Sequence, residues 1–416
     1  MSIALQSPLR RILFAAACCT FAAWYFEVCA REYRATLLTA DPTVASLQKA
    51  IALEPTNAQY RELLARYLAF SGTNMQEAVS TYRTAAQLNP YDARCWLDLA
   101  GAYEVEGRVD EQDESVEHAV SADPHTPDVA WEAANLFLIQ GKQEKALRYF
   151  GMVLANDPWS VDVALQMCWR ATGNVDQVVG ILPPKPDVYL SFVRLLISRG
   201  EVAATESVWN HLLALRQSFP ISLAFPYFRF LIAKQEVAAA STGWRQLASL
   251  NPSLQPYLPN TDNLIVNGGF ERPILNGGFD WWYQPNPHVT LRIDSSDFYS
   301  GTRSLSVTFD GQNAAEAGLS QFVPVKPDTE YDFTAAYRAQ ELDTASGPRF
   351  SLSDPYTGSN FVVTDDIVGS NPWRSQEAEF RTGPNTKLLL LRIVRQPADP
   401  LIRGELWVDD FKLVEK

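Results

Sequence analysis

Tripeptides that end in proline recur along the chain at Leu53-Glu54-Pro55, Leu88-Asn89-Pro90, Ala122-Asp123-Pro124, Asn156-Asp157-Pro158 and Leu250-Asn251-Pro252. The first four prolines are separated by 35, 34 and 34 residues. A fixed period of this length is typical of repeat proteins built from helical hairpins. Proline cannot continue a helix interior, so each tripeptide marks the end of a hairpin's second helix. The sequence therefore predicts an α-helical solenoid.

Between these prolines, small and large residues alternate at set offsets. They are Trp96, Leu99, Ala100, Tyr103, Gly107, Ala119 and Pro124 in one repeat, and Ala134, Phe137, Gly141, Ala146, Phe150 and Pro158 in the next. This pattern resembles the tetratricopeptide repeat family. Small residues let the two helices of a hairpin approach, and large ones fill the groove between hairpins. The resemblance implies about six hairpins over residues 31–256, interrupted at residues 183–186, with a concave face that binds a protein partner.

The N-terminal segment is long and apolar enough to meet a membrane. Residues 12–26 carry no charge, and Glu27 alone interrupts the run before it continues to residue 30. Residues 12–30 are predicted to be an uncleaved signal anchor, with aromatic residues 24–26 at the membrane interface. Arg10 and Arg11 favour a cytoplasmic tail of residues 1–11. The prediction is a single-pass protein of the bacterial inner membrane with its bulk in the periplasm; cleavage after residue 30, giving a periplasmic or secreted protein, is the alternative.

Composition and motifs exclude several classes of function. The net charge of −13 argues against a nucleic-acid partner, because phosphate recognition requires a basic face. Beyond residue 30 the cysteines are Cys95 and Cys168, and Cys-x-x-Cys does not occur, so neither a zinc ribbon nor a redox dithiol is indicated. The sequence also lacks the nucleophile elbow, the phosphate-binding glycine loop and the His-Glu-x-x-His motif. We therefore expect a protein that is not an enzyme.

From residue 263 onward, helical periodicity gives way to alternation. Leu305, Val307 and Phe309 alternate with Ser304, Ser306 and Thr308, and the segments between such runs are rich in glycine, asparagine and proline. Short alternating strands with dense turn residues are typical of a β-sandwich. The fold class predicted is therefore a multidomain α and β protein: a membrane helix, a repeat solenoid, a linker at residues 257–262 and a sandwich at residues 263–416.

Three stretches of this sandwich carry a family resemblance. They are Asn263-Leu-Ile-Val-Asn-Gly-Gly-Phe-Glu271, Gly301-Thr-Arg-Ser-Leu-Ser-Val307 and Leu406-Trp-Val-Asp-Asp-Phe-Lys-Leu413. Together they resemble carbohydrate-binding modules with the galactose-binding-like jelly roll. The resemblance implies a glycan ligand for this domain.

Aromatic residues are the expected contacts for such a ligand, because sugar C–H faces stack on flat rings. Residues 281–283 form a Trp-Trp-Tyr cluster. Neighbours on a strand face opposite sides, so either Trp281 and Tyr283 point outward and Trp282 inward, or the reverse. The predicted glycan-binding residues are Trp281, Tyr283, His288, Arg292, Tyr356 and Trp373.

The last strand contains an acidic residue at an apolar face. By alternation, Trp407, Asp409, Phe411 and Leu413 share one side, and a buried carboxylate must be paired, hydrogen-bonded or bound to a metal. The resemblance implies a structural calcium, held by Glu271 with Asp409 or Asp410 and completed by backbone oxygens. A partner without metal is the alternative.

Two hypotheses for the whole chain follow. In the first, a membrane-anchored envelope scaffold binds a protein through its repeats and a glycan through its sandwich, within a polysaccharide assembly or export system. In the second, the sandwich is a protein-docking module and the chain is an assembly factor without sugar affinity. A glycan-active enzyme is the least favoured alternative.

Overall fold

A computed structural model of the chain describes residues 7–72 and 74–416. Its contacts group the chain into two compact units that divide between Pro183 and Pro184. We call them the first unit and the second unit and describe each by itself.

The first unit is helical. Its helices are α1 (Pro8–Thr39), α2 (Val44–Leu53), α3 (Ala58–Ser71), α4 (Met75–Leu88), α5 (Ala93–Glu106), α6 (Val109–Ala122), α7 (Pro127–Ile139), α8 (Gln143–Asn156), α9 (Val161–Thr172) and α10 (Val175–Val179). Consecutive helices from α3 to α10 form four hairpins. The last hairpin is truncated, because α10 has 5 residues whereas α8 has 14.

The repeat residues behave as their spacing predicts. The small residues Ala119 and Ala146 and the large residues Tyr103 and Phe137 are all buried. Gly107 ends α5 in the left-handed conformation, at a φ of 71°, which glycine adopts without strain. The prediction of a tetratricopeptide-type helical region is confirmed by these hairpins.

Helix α1 is longer than the membrane span predicted at residues 12–30. It has 32 residues and a stretch that is apolar and long enough to cross a membrane, and none of that stretch is buried in the protein. Such a helix is compatible with a membrane anchor or with a signal sequence. Residues 1–6 of the predicted cytoplasmic tail lie outside the described residues.

The second unit begins with two more hairpins, which bring the number of hairpins from α3 onward to six. Their helices are α11 (Pro186–Arg199), α12 (Val202–Ala214), α13 (Phe225–Ala233) and α14 (Val237–Leu250). Short 3-10 segments lie at Ile221–Ala224 and Pro252–Tyr257. Helical structure therefore gives way to β-structure near the predicted linker, residues 257–262. The compact units, however, divide earlier, at residue 183, because these last helices pack with the sandwich.

The rest of the second unit is β-structure. Its strands are β1 (Trp282–Tyr283), β2 (Val289–Asp294), β3 (Ser304–Asp310), β4 (Glu316–Pro324), β5 (Glu330–Asp343), β6 (Pro348–Ser353), β7 (Asn360–Val363), β8 (Gly369–Arg381), β9 (Leu388–Arg395) and β10 (Arg403–Glu415). They form two five-stranded sheets with the orders β1-β4-β9-β6-β7 and β2-β3-β10-β5-β8. Every pairing is antiparallel, and the predicted β-sandwich is confirmed. We call them the first sheet and the second sheet.

The core lies between the two sheets. Leu305, Val307 and Phe309 face it from β3, as predicted. On β10 the prediction is wrong, because Leu406 and Val408, rather than Trp407 and Asp409, face the core. A β-bulge between Asp409 and Lys412, where Asp410 adopts a φ of 50°, then shifts the alternation so that Phe411 and Leu413 also face inward. An inserted residue of this kind reverses every later side chain on the strand.

The sandwich packs on the last hairpin. The Trp244 and Phe279 rings meet edge to face with centroids 6.3 Å apart. The Arg229 guanidinium carbon lies 4.6 Å from the centroid of the Trp282 ring, and the Tyr356 hydroxyl donates to the Ile232 carbonyl at 2.7 Å. These contacts explain why α13 and α14 belong to the same unit as the sandwich.

Candidate functional site

The outer face of the second sheet, the side turned away from the core, carries polar and aromatic side chains in register. One row across β2, β3, β10 and β5 consists of Arg292, Ser306, Trp407 and Arg338. The next row consists of Thr290, Thr308, Glu405 and Gln340. Hydrogen-bonding groups therefore surround an indole at the centre of this face.

Asp294 holds two members of the first row. Its Oδ2 accepts from Trp407 Nε1–H at 3.0 Å and from the Arg292 guanidinium at 3.2 Å. Its Oδ1 accepts from the backbone N–H and the hydroxyl of Ser296, at 2.8 and 2.6 Å. Hydrogen bonds from Ser296 and Trp407 lower the pKa of Asp294 to about 2. This carboxylate is thus ionised and fixes both side chains.

Asp297 forms a second group of the same kind. Its Oδ1 accepts from Trp373 Nε1–H at 2.9 Å, and its carboxylate pairs with the Arg338 guanidinium. Its backbone carbonyl accepts from the Ser304 hydroxyl at 2.6 Å. An indole and a guanidinium are again oriented by one carboxylate.

The two groups meet at Arg338. Its guanidinium carbon lies 4.9 Å from the centroid of the Trp407 ring, which leaves only 6% of Trp407 exposed. Tyr299, in contrast, is 48% exposed, and its ring centroid lies 5.8 Å from that of half-buried Trp373. Tyr299 and Trp373 therefore form an aromatic surface that is open to a ligand.

A loop of residues 295–303 supplies Asp297 and Tyr299 and is itself held by two carboxylates, buried Asp409 and exposed Glu271. Asp409 Oδ2 accepts from the backbone N–H groups of Tyr299 and Ser300, both at 2.9 Å. Glu271 accepts from Thr302 and Arg303, the shortest of these bonds being the Thr302 N–H at 2.6 Å. The acidic pair predicted as calcium ligands thus fixes the loop that carries the exposed aromatic ring.

The pKa values of Asp409 and Glu271 are shifted in opposite directions by their environments. Burial raises the pKa of Asp409 to about 6, although backbone N–H donors oppose the shift. The Thr302 N–H lowers the pKa of Glu271. Asp410, the third predicted ligand, instead pairs with Lys412 at 2.8 Å. Among the described residues, no group of three or more His, Cys, Asp or Glu side chains is arranged to hold a metal.

A depression of about 750 Å³ lies where the second row ends, lined by Thr308, Gln340 and Glu405 among others. A β-bulge in β5 forms this depression, because two residues of β5, Glu341 and Leu342, lie opposite the single residue Gly404 of β10. Glu341 has a φ of 50°. A side chain at Gly404 would collide with the Glu341 carbonyl, so only glycine permits this approach. The depression extends the outer face with further polar groups.

The predicted ligand residues do not converge on one site. Trp281 was expected as an exposed platform, but its exposure is 0%, and its ring stacks on Phe270 with centroids 5.2 Å apart. Its Nε1–H donates to the Asn267 carbonyl at 3.0 Å. Trp281 is therefore a core residue, and the hypothesis that its ring contacts a sugar is wrong.

The other predicted residues divide between four places. Tyr356 lies against α13, where burial raises the pKa of its hydroxyl to about 12. Tyr283 is 39% exposed on the first sheet, away from the outer face. His288 Nδ1 lies 3.1 Å from the Asp310 carboxylate, just before β2. Only Arg292 and Trp373 belong to the groups formed by Asp294 and Asp297.

Sequence reasoning missed several residues of the outer face: Asp294, Asp297, Tyr299, Arg338, Gln340, Glu405 and Trp407. The alternation that holds for β3 also applies to β2 and β5, and its outward positions there include Asp294, Arg338 and Gln340. Asp297 and Tyr299 lie on a loop, where no periodicity indicates which way a side chain points.

Comparison with known proteins places this domain in a class. Residues 262–400 match the family model of a carbohydrate binding domain, which is about a third of the chain. The match therefore classes the sandwich and not the whole protein. Together with the hairpins described above, it defines a tetratricopeptide-type helical region joined to a carbohydrate-binding-type domain, and both are non-catalytic domain types.

Solved structures that are similar to parts of the chain include a tetratricopeptide repeat protein from Parabacteroides merdae, at 15% identity and a TM-score of 0.31, covering 54% of this chain and 93% of that one. The CBM22-1 xylan-binding domain from Paenibacillus barcinonensis is 15% identical with a TM-score of 0.26, covering 36% and 91%. A carbohydrate-binding module solved with β-1,4-galactotriose, TmCBM61, is 18% identical with a TM-score of 0.27, covering 37% and 99%. The chain matches none of the curated proteins.

Proposed function

We propose that the C-terminal sandwich binds a glycan on the outer face of its second sheet. The observation that carries this proposal is the pair of carboxylates, Asp294 and Asp297, each of which fixes one indole and one guanidinium on that face. Rigid rings beside polar groups suit a sugar, which has apolar C–H faces and hydroxyl edges. The match to a carbohydrate binding domain supports the same ligand class.

Each part of the face has a separate role in this proposal. Trp373 and Tyr299 stack on the faces of sugar rings. Arg292 donates to ring or hydroxyl oxygens, because 63% of its side chain stays exposed although Asp294 holds one edge. Gln340 and Glu405 contact further hydroxyl groups in the second row. The protein contributes orientation, since the side chains are already fixed before a ligand arrives.

We also propose that calcium binds between Glu271 and Asp409. In the structure, Asp409 Oδ1 and Glu271 Oε2 each accept one hydrogen bond, from the Asp410 N–H and the Thr302 hydroxyl, and both retain lone pairs. Calcium prefers such hard oxygen ligands, and backbone oxygens and water would complete its shell. The ion would add to the hydrogen bonds that hold the loop of residues 295–303.

For the first unit we propose a protein partner. Phe70, Val105 and Ile139 occupy equivalent positions at the ends of α3, α5 and α7 and are 95%, 70% and 71% exposed. An exposed apolar stripe repeated along three hairpins is typical of a protein-binding surface.

Charges on the same helices are already paired with one another. Arg66 bridges Glu62 and Asp98, at 2.6 and 2.9 Å, and Arg94 bridges Asp98 and Glu132, at 3.0 and 2.9 Å. Because these groups satisfy each other, we assign the partner to the apolar stripe, and replacing Ile139 by Asp is expected to weaken that partner's binding.

The whole chain is then proposed to be a non-catalytic scaffold anchored by α1 in the bacterial inner membrane, with its bulk in the periplasm, serving polysaccharide assembly or export. Support for the anchor comes from the length and apolarity of α1. Membrane retention of the chain after alkaline washing tests it. Recovery of a soluble chain that begins near Arg31 would instead support a cleaved signal.

Glycan binding is tested with the full chain in lipid nanodiscs on an array of neutral and acidic polysaccharides. We expect retention of at least one polysaccharide class and loss of that retention in Trp373→Ala. If no polysaccharide is retained, the sandwich does not bind glycan and the protein-docking hypothesis takes its place.

A further inference from the structure

A second cleft in the second unit lies apart from the outer face. Its walls come from α14, from residues 258–264 and from the adjoining ends of β4, β5 and β10, and its volume is about 770 Å³. Ligand sites of small molecules have volumes of roughly 300–1,000 Å³. None of the residues that line it belongs to the proposed glycan face.

The floor of this cleft is apolar and rigid. Trp244, Phe279 and Tyr331 are each 1% exposed, so they are fixed in the core and present only edges to the cleft. Trp244 Nε1–H donates to the Tyr257 carbonyl at 3.0 Å, and the Tyr331 hydroxyl accepts from the Lys326 backbone N–H at 2.8 Å. With their polar atoms satisfied inside the protein, these rings offer the cleft only apolar surface.

The rim of the cleft is cationic. Arg245, Lys326 and Lys416 line it, against a single acid, Glu415. Lys326 pairs with Glu415 at 2.7 Å, and Lys416 reaches away to Asp332 and Glu379. Arg245 is exposed on α14, and its side chain makes no ion pair or hydrogen bond with any residue that the structure describes. The rim thus holds a guanidinium without an acidic partner above an apolar floor.

We propose that this cleft binds an amphiphilic anion, a ligand with an apolar body and one carboxylate, sulfonate or phosphate group. The apolar body lies against the half-buried side chains of Leu258, Leu264 and Val325, beside the edges of the aromatic rings, and excludes water from them. The anionic group accepts from Arg245, whose planar fork of N–H donors matches such oxyanions. Ser241, one helical turn from Arg245 on the same side of α14, borders the cleft beside it.

The test uses the full chain in nanodiscs and two water-soluble probes, 1-naphthalenesulfonate and its neutral analogue 1-naphthylmethanol, by isothermal titration calorimetry. The wild-type chain is expected to bind the sulfonate more tightly than the alcohol. Arg245→Gln should weaken sulfonate binding roughly tenfold or more while leaving the alcohol unchanged, because only the charged hydrogen bond is lost. The control is Arg199→Gln, at an exposed arginine at the end of α11 outside the cleft.

A second variant tests whether the apolar body of the ligand occupies the cleft. Ser241→Phe should fill the mouth of the cleft and abolish binding of both probes, while the melting temperature of the second unit stays close to that of the wild type. Equal sulfonate affinity in the wild type and Arg245→Gln would overturn the proposal, as would the absence of binding to the wild type. The glycan array reports on a different face, so either proposal can fail without the other.

Discussion

The guanidinium of Arg338 covers the indole of Trp407, with 4.9 Å between the guanidinium carbon and the ring centroid. A cation over an aromatic face is an attractive contact, and Asp297 holds this cation from its other side. Trp407 is consequently a support for Arg338 rather than a surface for ligand. The proposed glycan face is thus built in two layers, with Trp407 and Asp294 beneath and Trp373, Tyr299 and the arginines above.

Asp297 is expected to matter for glycan binding without touching the glycan. Asp297→Ala frees the Trp373 indole and the Arg338 guanidinium together, and we expect a loss of affinity of about tenfold or more, since rigid positioning lowers the entropic cost of binding. Asp297→Asn keeps an oxygen acceptor for Trp373 and should lose less. Affinity electrophoresis of both variants measures the difference. Unchanged affinity in Asp297→Ala would show that the carboxylate does not position the face.

The second unit should become more stable as the pH falls from 8 to 5. Burial raises the pKa of Asp280 to about 7 and that of Asp409 to about 6, against 3.8 for an unburied aspartate. The folded state therefore binds protons that the unfolded state releases. The contribution of these two protonated carboxyl groups to the free energy of unfolding is fully present below pH 3.8 and is lost as the pH rises through 6 and 7. For Asp280 the rise in pKa corresponds to roughly 4 kcal/mol in the free energy of unfolding.

Calorimetry of the full chain in the presence of chelator measures this dependence. Asp280→Asn should flatten it, because the amide cannot ionise, whereas the exposed control Asp262→Asn should not. Glu271 and Asp294 have lowered pKa values and stay ionised throughout this range, so they do not contribute. A melting temperature that rises with pH between 5 and 8 would contradict the account of Asp280.

Calcium is expected to act through Asp409. If the ion binds only the folded state, it raises the free energy of unfolding by about 2.7 kcal/mol when the free calcium concentration is a hundred times its dissociation constant. At pH 7.5, chelator should lower the melting temperature of the second unit, and Asp409→Asn should remove that response. A chelator-insensitive wild type would leave Asp409 as a buried acid held by backbone N–H groups alone.

The last hairpin should unfold together with the sandwich. Gly278 has a φ of 61°, and a side chain there would collide with the ring of Trp244 on α14. Gly278→Val is therefore expected to disrupt the packing of α14 on the sandwich. Strain and overpacking should lower the free energy of unfolding of the second unit by several kcal/mol. Hydrogen exchange should then speed up in α13, α14 and the sandwich while α3 to α8 keep their protection.

The control for this prediction is Gly358→Val, because Gly358 also has a positive φ but faces open space. It should show the effect of strain without that of the Trp244 contact. Faster exchange in the sandwich alone, with α13 and α14 unaffected by Gly278→Val, would contradict the division of the chain at residue 183.

Much of the fold could be predicted because it repeats. The prolines at 55, 90, 124 and 158 and the small residues Ala119 and Ala146 recur at fixed offsets, and the alternation of Leu305, Val307 and Phe309 is regular. Periodicity is a property of the sequence, so these elements could be read from it directly.

The site could not be predicted in the same way, because irregular backbone forms it. The bulge at Asp410 reverses which residues of β10 face the core, and a loop without periodicity brings Asp297 to Trp373 and Arg338. Alternation left two choices for Trp281, and its hydrogen bond to the distant Asn267 carbonyl decided between them. Contacts between segments far apart in the chain are not encoded in local pattern.

The most direct test of the account compares two tyrosines and a tryptophan in one glycan-binding titration of the full chain. Trp373→Ala and Tyr299→Ala, on the outer face of the second sheet, should each weaken binding by about 2 kcal/mol, or roughly thirtyfold, with little change in melting temperature. Tyr283→Ala, at a similarly exposed ring on the first sheet, should bind like the wild type. Loss of binding in Tyr283→Ala with Trp373→Ala and Tyr299→Ala unaffected would place the glycan on the other sheet and contradict the account.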